Sequence, residues 1–351
     1  MIHPEISETS TGSTERSLWL RVGGMRKSLL VTGKLVFSLA LLGYLLMKVE
    51  WRNIGQAMSV FNPIALLISV CFLLCATALS ARRWRLFIPY PVSTRRIISF
   101  CFIGAFFNIC LPGIVGGDII KAYYLNRELK GNREKGVGET PVGNVNESGF
   151  YTINSASVGS VFMDHCMGLA ILVTVVFAVY PWGFGYLNGT PAKWIVPVFL
   201  IAFPLLFLIF FGFKVGKTFL PLQRFHNYLG VCAARKDVLL KSFFYSICIQ
   251  FLVITSVYIV AWGLSLKAPL FLFFVFIPLI NIILLIPVSI SGIGLREGAF
   301  VFFFGTMGIP SEQVIALSFL WFLSQVVASL PGLYEYMGFR RNSRSNQLYD
   351  K

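Results

Sequence analysis

Several stretches of this chain run for about twenty residues with almost no charge, and that property limits the folds open to it. Residues 63–79, 194–213, 242–264 and 315–330 contain no Asp, Glu, Lys or Arg, and the runs at 29–47 and 158–180 admit only Lys34 and Asp164. An α-helix rises about 1.5 Å per residue, so about 20 residues cross the roughly 30 Å hydrocarbon core of a bilayer. Apolar residues follow one another here instead of alternating, which argues against a transmembrane β-barrel. Charged residues make up 13% of the chain, about half the usual share of a soluble domain. The expected class is an all-α polytopic membrane protein.

Positive charge then sets the topology. The net charge is +15, and the basic residues sit in short segments between the apolar runs. That distribution follows the positive-inside rule and excludes a nucleic-acid-binding reading. It also favours attraction to anionic headgroups, as in most inner-membrane proteins. Residues 1–28 are Ser/Thr-rich and then basic, with no small-residue cleavage site, and are expected to be a disordered cytoplasmic tail. Residues 29–338 form the membrane domain, and 339–351 form a second basic cytoplasmic tail. Arg82, Arg83 and Arg85 follow the second span at the cytoplasmic interface, and 126–156 is a polar cytoplasmic loop.

Two apolar segments are broken. Residues 97–121 are flanked by Arg82, Arg83, Arg85, Arg95 and Arg96 on one side and by Arg127, Lys130, Arg133 and Lys135 on the other. Both ends are therefore cytoplasmic, and the segment enters and returns as a re-entrant hairpin with its turn near Pro112 and Gly117. Residues 269–305 follow an outer loop carrying Lys267 and precede a final inward span. They form a second hairpin of opposite orientation, with its tip at residues 289–297. The count is about six full spans and two hairpins, with both termini cytoplasmic. Opposed broken elements meeting near the midplane are the architecture of secondary transporters.

Charge and irregular backbone at membrane depth are costly, and they persist beside a polar cavity or inside protein. The candidate lipid-phosphate ligands are therefore Asn108, Pro112, Gly113, Gly116, Gly117, Asp118 and Lys121 at the first tip. At the second they are Ser289, Ser291, Gly292, Gly294, Arg296 and Glu297. Glycines permit close backbone approach, and N–H groups at a returning half-helix suit phosphate. Asp118 is three residues from Lys121, on the same helix face, and either orients that lysine or caps a helix. Arg296 offers the planar fork that matches phosphate oxygens. Glu297 pairs with a neighbour or with Lys121, or carries a coupling proton; an internal salt bridge locking the tips together is the structural alternative. Asp164 and His165 are supporting polar residues expected to pair with the arginine cluster at Arg82 and Arg83. The two tips should then place Arg296 and Glu297 beside Asp118 or Lys121.

The seven cysteines form no CxxC pair and the three histidines are scattered, so no metal or other cofactor is expected. The chain shows no phosphate loop of the GxxxxGK[ST] type and no HExxH motif. Transport would be downhill or ion-coupled.

Three motifs in order carry a resemblance: LPGIVGGDIIKAYYL at 111–125, SVFMDHCMGL at 160–169 and PVSISGIGLREG at 287–298. They resemble the flippase-like membrane region of lysylphosphatidylglycerol synthases, over about 29–340. That family often has Arg where Lys121 stands and Arg where His165 follows Asp164, so an ion pair at His165 depends on the protonation of its ring. The soluble aminoacyl-transferase domain of full-length synthases has no counterpart here, and lysyl transfer is not carried over. The resemblance implies a translocase for a phospholipid or a polyprenyl-phosphate-linked lipid. Two alternatives stand beside it. One is a membrane-embedded glycosyltransferase or other transferase acting on a lipid-linked substrate. The other is a non-catalytic partner of a lipid synthase.

Overall fold

The computed structural model describes residues 58–110, 116–134, 153–190, 234–285, 289 and 292–349, with isolated positions at 43, 55 and between 193 and 232. The tip residues Pro112, Gly113 and Ser291 lie outside this set, as do nearly all of the run at 29–47 and most of that at 194–213. Eight α-helices carry the architecture among the described residues: α1 (Pro63–Phe87), α2 (Thr94–Cys110), α3 (Gly116–Glu134), α4 (Ile153–Gly183), α5 (Lys236–Gly263), α6 (Leu270–Leu284), α7 (Leu295–Gly305) and α8 (Ser311–Tyr349). No strand occurs among them. Pro63–Phe87, Ala156–Leu187, Lys236–Gly263 and Ser311–Arg340 are long and apolar enough to cross a membrane. Together they make this a helical multi-pass membrane protein.

Asn62 starts α1 by accepting a hydrogen bond from the Ile64 N–H at 3.0 Å, and Pro63 takes the first helical position, where its missing N–H is harmless. Nothing stops α1 at residue 79, so it runs on to Phe87 and carries the three arginines with it. The expected interfacial arginine cluster is thus the last two turns of a helix, and Arg83 within it is buried. The polar 126–156 segment likewise begins as helix, because α3 continues to Glu134. The C-terminal segment is helical to Tyr349 as an extension of α8.

Helices α1 and α5 pack antiparallel along their length. The Asn62 N–H donates to the Gly263 carbonyl at one end (3.0 Å), and Arg83 Nη1 donates to Ser246 Oγ at the other (2.9 Å). Lipid supplies no hydrophobic drive for helices to associate, so small residues and buried hydroxyls define the contacts. Ser69 meets Ser324 between α1 and α8, Trp84 donates to Ser160 between α1 and α4, and Trp321 donates to Ser256 between α8 and α5. Away from these seams the side chains are large and apolar: Ile64, Leu67, Phe177, Phe244, Phe251 and Trp262 are exposed to the surroundings.

The two broken segments are helical hairpins. Helix α3 folds back against α2 so closely that a Cβ on Gly117 would sit 2.0 Å from the Gly104 carbonyl oxygen. Only glycine fits there. Helices α6 and α7 close on an aromatic core of Phe273, Phe276, Phe300, Phe303 and Phe304, all buried, while Phe271 and Phe302 face outward. Helix α7 has 11 residues, about 16 Å of rise, which cannot cross a bilayer core alone.

Candidate functional site

Residues from α1, α3, α4 and α5 converge on one polar cluster. Arg83 on α1 places Nε 2.7 Å from Asp164 Oδ1 on α4, and its Nη1 reaches Ser246 on α5. Both charged side chains are almost fully buried, and the guanidinium packs over Gly168, one turn along α4. Asp118 on α3 is buried as well. Its Oδ1 lies 3.1 Å from Lys121 Nζ, one turn away, and its Oδ2 lies 2.6 Å from His165 Nε2 on α4. One carboxylate is therefore shared by two basic groups. The Lys121 stem lies across Gly104, where a Cβ would come within 2.7 Å of it. Asn108, near the end of α2, accepts the Gly117 N–H at 2.8 Å and ties the returning helix to the entering one.

His165 is the open side of this cluster. Its side chain is 58% exposed, against 5% for Asp118 and 14% for Lys121. Approach to the buried carboxylate and ammonium is thus past an imidazole.

Three adjacent arginines have three destinations. Arg82 is exposed, Arg83 enters the cluster, and Arg85 donates to the carbonyls of Ile88 (3.0 Å) and Val92 (2.9 Å), fixing the turn into α2. Asp164 does meet the arginine cluster, through Arg83. His165 does not. Consecutive helical residues point about 100° apart, so two neighbours on α4 cannot both face α1; the second turns to α3.

The second tip is built differently. Gly292 and Gly294 adopt φ of 79° and 80°, left-handed values that other residues rarely hold. The Arg296 N–H donates to the Gly292 carbonyl at 2.7 Å, starting α7. Glu297, three residues into that start, reaches back and accepts the Gly294 N–H at 2.7 Å, and its other oxygen accepts from Ser318 Oγ on α8 at 3.3 Å. This is the backward half of a capping box, held by the neighbouring helix. The Arg296 guanidinium is buried, 4.8 Å from the Phe322 ring centre and 5.7 Å from that of Trp321. Ser289 is buried beside this turn.

Among the described residues, Asp118, Lys121 and Glu297 form no hydrogen bond or ion pair between the tips. Asp118 belongs to Lys121 and His165, and Glu297 to Gly294 and Ser318. Helix α8 touches both regions at different heights. Ser318 meets Glu297, whereas Gly332 lies against the Phe102 carbonyl of α2, fourteen residues and about 21 Å further along.

Residues 31–332 match the family described as the lysylphosphatidylglycerol synthase TM region. The chain belongs to that family. No curated protein and no solved structure matches it. Within this family member, the three motifs fall on the α2–α3 hairpin, on α4 and on the start of α7. Membership relates the chain to membrane proteins of lipid synthesis or flipping. The partners that sequence reasoning passed over are Ser246, Ser318, Gly104, Trp321 and Phe322. Serines and a glycine within apolar runs were the available signal, since they mark where helices approach or exchange hydrogen bonds.

Proposed function

We propose that this chain is a translocase that carries the headgroup of an anionic phospholipid or polyprenyl-phosphate lipid across the cytoplasmic membrane while the tails stay in the bilayer. The observation that carries this reading is the buried Asp118 carboxylate held between Lys121 and the exposed His165. A phosphate arriving past His165 offers Lys121 a second anion, and the ammonium can exchange the Asp118 carboxylate for it. The Arg83–Asp164 pair is internally neutral and fixes α4 relative to α1, so it positions His165 without competing for the phosphate.

In this reading α2–α3 and α6–α7 are re-entrant hairpins of opposite orientation, within six spans and with both termini cytoplasmic. The short α7 and the tight Gly104–Gly117 approach support it. Arg296 serves as a second phosphate station, and Glu297 keeps the start of α7 in shape. A lipid-modifying enzyme is a natural partner for such a chain.

The test is lipid scrambling in proteoliposomes with fluorescent phosphatidylglycerol. Lys121→Gln and Asp118→Asn should each slow movement at least ~10-fold, the scale of one lost charge-assisted contact. Unchanged rates in both would remove this site from the mechanism.

A further inference from the structure

Helix α3 leaves the bundle with an ordered exposed stripe. Ile119 and Tyr123 are exposed, and so are Arg127, Lys130 and Arg133 after them. At 3.6 residues per turn these five lie within an arc of roughly 120°. The stripe runs from apolar, through a tyrosine, to cations. Helix α8 repeats the order with Leu330, Tyr334, Met337 and Arg340.

The two stripes share a level. Phe100 of α2, Tyr124 of α3 and Phe339 of α8 form a ring cluster with centroids 5.6 to 5.7 Å apart. One helical turn beyond that level, Arg96 of α2 lies 3.8 Å from Glu128 of α3, and its guanidinium also sits 5.2 Å from the Phe339 ring centre. Arg95, Arg127, Lys130, Arg133 and Arg340 surround this edge and are exposed. Among the described side chains, the carboxylates nearby are Glu128, held by Arg96, and Glu335, one turn inward. From Tyr123 to Arg127 is four residues, about 6 Å, which matches the thickness of one headgroup layer.

We infer that the α3–α8 edge is a docking surface for anionic phospholipids of the surrounding bilayer: acyl chains lie against Ile119, Tyr123 and Leu330, and phosphates meet Arg127, Lys130 and Arg340. It is separate from the Asp118 cluster and does not depend on translocation. The apolar-to-cationic order along both helices selects a lipid over a free phosphate, because phosphate alone makes no use of the tyrosine and aliphatic residues. Charge complementarity selects an acidic headgroup over a zwitterionic one.

The test uses the full chain in phosphatidylcholine bilayers doped with spin-labelled phosphatidylglycerol or spin-labelled phosphatidylcholine. Electron paramagnetic resonance reads the motionally restricted fraction. Wild-type protein should restrict the glycerol lipid several-fold more strongly than the choline lipid. Arg127→Gln with Lys130→Gln should cut that preference at least ~3-fold, and Lys193→Gln, remote in sequence, should leave it unchanged. Raising salt to about 0.5 M on wild-type protein should have the same effect as the double variant, which covers failure of the variant to fold. Equal restriction of both lipids by wild-type protein overturns the proposal. So does a preference that survives both the double substitution and high salt. A loss of scrambling with this preference intact would count against the translocase reading alone.

Discussion

His165 Nε2 lies 2.6 Å from Asp118 Oδ2, joining residues 47 positions apart and closing the α2–α3 hairpin onto α4. The residue before it, Asp164, makes a 2.7 Å contact to Arg83 on α1. One dipeptide thus fastens α4 to two elements at once.

The Arg83–Asp164 pair is buried on both sides, so removing one partner strands a charge. Arg83→Met or Asp164→Leu alone should cost about 3–5 kcal/mol, while the double substitution should cost much less than the sum. Thermal unfolding of purified protein in detergent reads this directly. Additive losses would show that the two side chains do not depend on each other.

Gly117 should tolerate no side chain. A Cβ there meets the Gly104 carbonyl at 2.0 Å, and backbone cannot swing aside as a side-chain end can. Gly117→Ala is expected to destabilise by about 1–3 kcal/mol and to slow scrambling. Gly131, on the same helix with nothing within 4 Å, supplies the control: Gly131→Ala should be neutral or stabilising by up to about 1 kcal/mol. A neutral Gly117→Ala would mean the hairpin arms are further apart than described.

Glu297 acts on the start of α7 through an acceptor. Glu297→Gln keeps an oxygen able to accept the Gly294 N–H, and Glu297→Ala keeps none. The glutamine variant should retain most of its thermal stability, and the alanine variant should lose about 1–3 kcal/mol, since a buried donor is left unmet. If the two variants melt together but scramble differently, the charge of Glu297 matters more than its hydrogen bond.

His165 governs access to Asp118. His165→Ala leaves Lys121 as the remaining partner of that carboxylate and opens its exposed side. Scrambling should change in rate, whereas melting should shift by no more than about 1 kcal/mol, because the His165 side chain is more than half exposed. A large loss of stability with an unchanged scrambling rate would assign His165 to structure.

Much of the fold was legible beforehand. Four of the expected spans are helices of suitable length, and the second broken segment turns through left-handed Gly292 and Gly294 before α7. The Asp118–Lys121 pair followed from three-residue spacing on one helix. The place of His165 did not, since nothing local says which neighbour an exposed face will meet. Nor did the place of Glu297, whose partners are a backbone N–H of its own turn and a serine on a later helix.

Hydropathy and charge along the chain suffice to say that it lives in a membrane, that it is helical, and where its helices break. Hydrophobic length, charge and glycine content act over one helix at a time, so they can be judged without neighbours. Which charges meet across helices was settled by the packing of the bundle. A side chain's direction is set by its angle around its own helix, but its partner is set by how distant helices pack. That packing sent Asp164 to Arg83 and His165 to Asp118, and it gave Glu297 to Ser318 instead of to Lys121.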